Sequence, residues 1–251
     1  YENILNKSCI FNLYIYMDTV SECKNELSIL GTSHGTDKVV HGFTTYYDKI
    51  FTPIRNDKFN FLEIGVFFGA SIRMWHEYFP NAMIRGADTF EGLQGNGNVF
   101  ENPSRYYDEW NIYRPDRIEL TKLDQSSKTH LREFVDFCKS RNIKFKVIID
   151  DGSHLMYDQQ ITFFYLWELL EDGGYFIMED IHTSEQGGYD VNLKKTNTTK
   201  GIFMGMKYNH SPFRSIYIDN NEVCDTITKQ VSEIDLYYST ADSQTMLIRK
   251  K

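Results

Sequence analysis

Two acidic clusters, near the ends of residues 146–184, contain the side chains best suited to chemistry. Each follows a short apolar run rich in β-branched or aromatic residues. The clusters are Asp150-Asp151 followed by Gly152-Ser153-His154, and Glu179-Asp180 followed by Ile181-His182. A run of this kind that stops abruptly in carboxylates is typical of a buried parallel strand whose carboxyl end opens onto a site.

The segment between the two clusters predicts how they are positioned. Residues 157–170 carry a helical pattern of apolar side chains that closes at Gly173-Gly174. In a right-handed strand–helix–strand unit, adjacent parallel strands end at the same edge of the sheet. We therefore expect Asp151, Glu179 and Asp180 to meet, with His154 one loop turn away. Carboxylates so crowded repel one another unless a cation lies among them, and a hard divalent cation meets that need.

The rest of the chain predicts a doubly wound, Rossmann-like α/β fold. It has a mostly parallel seven-stranded sheet with an antiparallel C-terminal hairpin. Further strands are expected at residues 59–64, 82–87 and 117–123, and the hairpin at 234–239 and 244–249. We expect a helix at residues 17–30, polar loops at 31–38 and 89–114, a lid at 183–209 and a further candidate strand at 213–218. As domains, residues 1–30 are interpreted as an N-terminal extension and capping helix, and residues 31–251 as one catalytic domain.

The loop after the first strand indicates the type of cofactor. Gly65 and Gly69 flank Phe67-Phe68, so the G-x-G-x-x-G pattern of a nicotinamide-binding loop is missing and a pyrophosphate is disfavoured. A cofactor with a ribose, an adenine and an ammonium group fits better. Asp88, at the end of the second strand, is placed to accept the ribose hydroxyls. The other candidate cofactor-binding residues are Glu63, Gly65 and Ser71 towards the amino-acid end, and Asp124 and Gln125 at the adenine edge.

These stretches resemble class I S-adenosylmethionine-dependent methyltransferases, and in particular the Mg²⁺-dependent sugar O-methyltransferases of macrolide and glycan biosynthesis. The resemblance rests on Gly35-Thr36-Asp37-Lys38 with His41, Leu62-Glu63-Ile64-Gly65, Asp150-Asp151-Gly152-Ser153-His154 and Glu179-Asp180. It implies S-adenosyl-L-methionine as methyl donor and Mg²⁺ or Mn²⁺ held by Asp151, Glu179 and Asp180. It also implies His154 as the general base for a sugar hydroxyl. Asp150 and His182 either line the acceptor pocket or support the ligands.

The net charge and the cysteine content of the chain limit the classes of partner and the cellular compartment. The 251 residues carry a net charge of −8, which disfavours nucleic acid and anionic membranes. Four cysteines without a C-x-x-C pair indicate reduced thiols and a cytoplasmic protein. We expect a small-molecule or glycan acceptor with vicinal hydroxyls, no membrane span, and either a monomer or a homo-oligomer. Two alternatives stay open: an O-methyltransferase acting on a catechol or another natural-product diol, and a non-catalytic methyltransferase-fold module of a larger glycan-assembly protein.

Overall fold

A computed structural model of the protein describes residues 25–90, 116–186, 189, 193–239 and 242–251. The strands are β1 Asn60–Ile64, β2 Met83–Asp88, β3 Ile118–Lys122, β4 Phe145–Asp150, β5 Leu170–Met178, β6 Val231–Tyr238 and β7 Gln244–Lys250. The α-helices are α1 Glu26–His34, α2 Phe43–Phe51, α3 Ala70–Tyr78, α4 Lys128–Ser140, α5 Met156–Leu166, α6 Thr199–Asn209 and α7 Asn221–Gln230. Most of the predicted loop at 89–114, and residues 17–24 of the predicted first helix, lie outside the described residues.

The strands form one seven-stranded sheet in the order β3-β2-β1-β4-β5-β7-β6. The first five strands pair in parallel, and β7 pairs antiparallel with both β5 and β6. The chain reverses direction across the sheet between β1 and β4, which in a doubly wound fold is where a ligand cleft opens. The predicted fold class is confirmed.

Two apolar layers sandwich the sheet, and the period-two alternation of the strands assigns side chains to each. In β4, Val147 and Ile149 pack into the layer under α1, α2 and α3, whereas Ile148 packs into the layer under α4 to α7. This alternation holds the backbone of β4 rigidly between two cores. The polar residues that follow the strand are therefore presented from a fixed base.

Three predicted segments differ from the structure. The polar stretch 31–38 is not a loop throughout, because α1 continues to His34 and a 3₁₀ turn, Asp37–Val39, follows. The lid interpretation of 183–209 is wrong for its second half, since α6 buries Ile202 and Phe203 in the core. Residues 213–218 form no strand: Phe213 packs against Phe163 and Phe203 beneath the sheet. Each of these segments has a polar surface and contacts the core through only a few apolar side chains. These are too few to give a clear helical or strand period in the sequence.

Two further expectations concern the domain boundary at residue 30 and membrane-spanning helices. Helix α1 begins before residue 30 and ends after it, and the division of the chain at that point stays a prediction. Within the described ranges, no helix is both long enough and apolar enough to cross a membrane.

Candidate active site

The carboxyl ends of β1, β4 and β5 lie side by side and place their acidic residues at one edge of the sheet. The main chain continues the pairing past the strands, because Asp151 N–H donates to Ile64 O (2.9 Å) and Glu179 N–H to Asp150 O (2.9 Å). Asp151, Glu179 and Glu63 are thereby brought within reach of one another, and ligand atoms of the three lie within 4.8 Å of each other.

An internal cation lies among these three carboxylates. The ammonium Nζ of Lys38 is 2.5 Å from Asp151 Oδ2, 2.8 Å from Glu179 Oε2 and 3.2 Å from Glu63 Oε1. The lysine side chain is only 1% exposed. Glu179 also accepts a hydrogen bond from the hydroxyl of Tyr47 at 2.7 Å, so both of its oxygens are engaged. The positive charge that the crowded acids need is thus supplied in part by the chain itself.

The electrostatics of this cluster keep the lysine charged. Burial alone would lower the pKa of Lys38, but the negative charges of Asp151, Glu179 and Glu63 raise it well above its ordinary value. Burial raises the pKa of Glu63, and burial together with the charge of Asp151 raises that of Glu179. An ammonium with three carboxylate partners is the strongest attraction in the cluster, so we assign it a full positive charge.

The outer part of the site is open to solvent and contains the predicted base. His154 Nε2 lies 3.4 Å from Asp180 Oδ2 and 4.0 Å from Asp151 Oδ1, and all three side chains are about one-fifth exposed. His182 Nδ1 approaches the other oxygen of Asp180, Oδ1, at 3.7 Å. Both His154 and Asp180 adopt positive φ, 60° and 52°. Backbone strain of this kind in non-glycine residues is concentrated at functional sites.

These outer donors suit a divalent cation. Ligand atoms of Asp151, His154 and Asp180 all lie within 4.8 Å of one another. In the described part of the chain, Asp180 Oδ1 is buried without a hydrogen-bond partner. An orphaned carboxylate oxygen inside a mostly oxygen donor set fits a hard ion such as Mg²⁺ or Mn²⁺. Of the three predicted ligands, Asp151 and Asp180 face this outer part, whereas Glu179 points to Lys38 and Tyr47.

Two cavities adjoin the acids and meet at Gly65, Phe67 and Asp151. The first, of about 300 Å³, is lined by the predicted cofactor residues Gly65, Asp88, Asp124 and Gln125. The second, of about 330 Å³, is lined by Ser71 and His154 together with Gly35, Thr36 and Asp37. Five of the six predicted cofactor residues therefore line a cleft made of two adjoining cavities that share Gly65, Phe67 and Asp151.

The sixth, Glu63, lies beneath that cleft. It is fully buried and accepts a hydrogen bond from Ser71 Oγ at 2.8 Å while it pairs with Lys38. Its contact with a ligand in the cleft is thus through Ser71.

Asp88 holds the loop that follows β1. Its Oδ2 accepts hydrogen bonds from the backbone N–H groups of Val66 (2.7 Å) and Phe67 (3.1 Å), and its Oδ1 accepts one from Phe90 (3.0 Å). Gly65, which precedes this loop, has φ +93°, and a Cβ there would lie 2.1 Å from the carbonyl oxygen of Asp151. The loop and the β4 end are therefore packed backbone to backbone.

Gln125 fixes the loop that carries His154. Its side-chain carbonyl accepts from the Ser153 N–H at 2.8 Å, and its amide donates to Asp150 Oδ1 at 3.1 Å. Asp150 is 1% exposed, and burial raises its pKa to about 6, against the opposing effect of the Gln125 hydrogen bond. Of the two roles left open for Asp150, the structure supports bracing rather than lining the pocket.

Asp124 caps the turn that follows it by accepting from Ser126 N–H and Oγ.

Two members of the site were missed from the sequence, Lys38 and Tyr47. Lys38 is part of the Gly-Thr-Asp-Lys stretch that carried the resemblance, but a lysine in a polar run predicts a solvated side chain. Tyr47 is one of 17 tyrosines, and nothing local distinguishes it. One signal for a basic residue at the site was available in the sequence. The acidic residues at the predicted strand ends outnumber the basic residues near them.

Comparisons with known proteins identify methyltransferases as relatives of the chain. The chain is 25% identical over 227 residues to L-olivosyl-oleandolide 3-O-methyltransferase from Streptomyces antibioticus, covering 84% of this chain and 52% of that protein. It is 31% identical over 175 residues to mycinamicin VI 2''-O-methyltransferase from Micromonospora griseorubida, covering 66% of this chain and 38% of the relative. The chain thus spans about half the length, or less, of the curated relatives it matches. No family model matches it.

The solved structures show the same likeness. The MycE methyltransferase of the mycinamycin biosynthetic pathway, in complex with Mg and SAH, superposes with a TM-score of 0.65 at 26% identity, over 91% of this chain and 55% of that one. The sheet order and these matches define a class I methyltransferase fold. Among such folds, this chain is similar to the sugar O-methyltransferases of glycosylated macrolides and tetracenomycins.

Proposed function

We propose that the protein transfers a methyl group from S-adenosyl-L-methionine to a sugar hydroxyl of a glycan or glycosylated metabolite. The observation that carries the proposal is the pair of adjoining cavities in which the loop after β1 meets Asp151 and His154, with Asp180 3.4 Å from His154 Nε2. A donor in the first cavity and an acceptor hydroxyl beside His154 would be neighbours there. The named activities of the relatives support the same reaction.

The residues of the first cavity are suited to the donor. Asp88, Asp124 and Gln125 would bind its ribose and adenine, and Gly65 and Ser71 its amino-acid end, with Glu63 supporting Ser71 from below. Bound S-adenosylmethionine supplies an electrophilic methyl on a sulfonium, and the product thioether leaves without a proton. Fixing the donor against a rigid loop keeps the methyl in line with the attacking oxygen.

Asp151 and Asp180, with Glu179 from the inner cluster, are the proposed ligands of a divalent cation. A bound Mg²⁺ or Mn²⁺ supplies Lewis acidity that lowers the pKa of an acceptor hydroxyl and favours acceptors with two neighbouring hydroxyls. His154 then removes the hydroxyl proton at Nε2 as general base, a contribution on the order of 10²–10⁴-fold. Asp180 Oδ2, 3.4 Å from Nε2, would accept a hydrogen bond from the imidazolium that forms.

The setting we propose is the cytoplasm, where reduced thiols are the norm. Cys138 and Cys224 are free and buried in the structure.

The test is a transfer assay with S-adenosylmethionine and two kinds of acceptor. Glycosylated polyketides with free vicinal sugar hydroxyls should be methylated at a sugar oxygen, with S-adenosylhomocysteine released in equal amount. Chelation should abolish transfer while the melting temperature of the chain stays within a few degrees, and Mg²⁺ or Mn²⁺ should restore it. Methylation of simple catechols alone would favour the diol alternative. S-adenosylhomocysteine binding without turnover on any acceptor would favour a non-catalytic module.

A further inference from the structure

Lys38 is the charged group that the proposed reaction does not use, and its placement is unusual. It is 1% exposed, and its ammonium contacts three carboxylates on three different strand ends. Two of these, Asp151 and Glu179, are also the proposed ligands of the divalent cation. The carboxylates of Asp151 and Glu179 therefore contact the ammonium of Lys38 and are also the proposed ligands of the divalent cation.

The two carboxylate oxygens of Asp151 face different groups, and this shows where the ammonium and the divalent ion would lie relative to each other. Its Oδ2 pairs with Lys38 at 2.5 Å, and its Oδ1 faces His154 at 4.0 Å on the solvent side. Asp151 belongs both to the inner group with Glu63 and Glu179 and to the outer group with His154 and Asp180. A divalent ion bound to the outer oxygen would lie one carboxylate away from the ammonium.

From this geometry we infer that Lys38 is a built-in counter-cation, a positioning residue that holds Asp151 and Glu179 assembled without metal and weakens divalent-ion binding. The inference rests on the proposed metal-assisted function. Without a cation, three carboxylates in this space would repel one another and separate. With the ammonium in place, a divalent ion meets ligands that are already positioned but partly neutralised, and it is repelled by the nearby like charge.

The decisive variant is Lys38→Met, which keeps an unbranched side chain of nearly the same length and removes its charge. Calorimetry with MnCl₂ alone, without donor or acceptor, should give a Kd for Mn²⁺ at least about tenfold lower than that of the parent, because the like charge is gone. The metal-free variant should melt at a lower temperature, and saturating Mn²⁺ should raise its Tm by more than it raises that of the parent.

Two controls separate charge from packing. Lys49→Met makes the same substitution at an exposed residue of α2 and should leave the Kd for Mn²⁺ unchanged. Tyr47→Phe removes the other partner of Glu179 without a change of charge. It should lower the Tm without the tenfold gain in affinity. Rescue is expected from Lys38→Arg, which should return the Kd towards the parent value.

The outcomes are distinct. An equal or higher Kd for Lys38→Met overturns the inference while the metal site itself stands. Mn²⁺ binding by Lys38→Met but not by the parent overturns the proposed metal-assisted function and the inference that rests on it. Failure of both to bind Mn²⁺ overturns the proposed metal site and this inference with it.

If Lys38→Met does not fold, Lys38→Gln provides the test, because it removes the charge and keeps a side chain that can donate hydrogen bonds to the carboxylates. Its Kd for Mn²⁺ should also be lower than that of the parent by about tenfold. An unchanged Kd in that variant overturns the inference.

Discussion

Gly65→Ala tests whether the loop after β1 is held against the end of β4 by direct contact of their backbones. At φ +93° an alanine pays about 1–2 kcal/mol for its conformation alone. Its Cβ would also lie 2.1 Å from the carbonyl oxygen of Asp151, where ordinary contact begins at 3.4 Å. Because that atom is backbone, no rotamer change relieves the overlap, and the two segments must separate.

The cost of that separation follows from the hydrogen bonds that anchor Gly65 to β2 and Asp151 to β1. Gly65 N–H donates to Ala87 O at 2.8 Å, and Asp151 N–H donates to Ile64 O at 2.9 Å. Weakening both adds about 2 kcal/mol at roughly 1 kcal/mol each. The total is about 3–4 kcal/mol, which at about 2–4 °C per kcal/mol lowers the Tm by about 10 °C.

Gly35→Ala is the matched control. Gly35 also has a positive φ, +73°, but a Cβ there meets no atom within 4 Å. Its cost should be limited to the conformational 1–2 kcal/mol or so. Urea denaturation followed by tryptophan fluorescence gives both free energies of unfolding. Equal losses in the two variants would refute the close approach at Gly65 and with it the described seating of the loop.

Three further predictions concern the site. His154→Ala should reduce turnover by about 10²-fold or more with S-adenosylhomocysteine affinity retained, because only the base is lost; full activity in rapid-quench assays would leave the imidazole a structural role. Asp180→Asn should raise the Mn²⁺ concentration for half-maximal rate, since an outer charged ligand is lost; an unchanged requirement would exclude Asp180 as a ligand. Asp88→Ala should weaken S-adenosylhomocysteine binding by about 1–3 kcal/mol, because the loop N–H groups of Val66 and Phe67 lose their acceptor. Unaltered affinity by calorimetry would contradict this role for Asp88.

The sheet was predictable because its signal is local. Residues such as Val147 and Ile148 alternate between two cores, and acids lie at or next to the ends of β1, β2, β4 and β5. The pattern therefore places these strands and their common edge. The right-handed connection between adjacent parallel strands then places their carboxyl ends at the same edge of the sheet. Features that depend on residues close together in the sequence, such as strands and their ends, are therefore predictable.

The contacts of the site were not predictable for the opposite reason. Lys38 pairs with partners 113 and 141 residues away, and no short-range periodicity records such a pair. For Asp88, position at a strand end predicts ribose binding, but it does not show that the carboxylate also accepts backbone N–H groups of the adjacent loop. Position along the chain shows which edge a side chain reaches, and only the packed structure shows which neighbour it contacts.

The position of β7 has a consequence for synthesis of the protein on the ribosome. β7 lies between β5 and β6, with Met178 opposite Met246, so β5 lacks one of its two neighbours until residue 250 has been translated. The neighbours of strands β1 to β4 all precede β7 in the chain. We expect Asp151 and Lys38 to be placed during translation, whereas β5, which presents Glu179 and Asp180, becomes fixed only after the last strand emerges. A nascent chain stalled before β7 should therefore hold half of the acidic site.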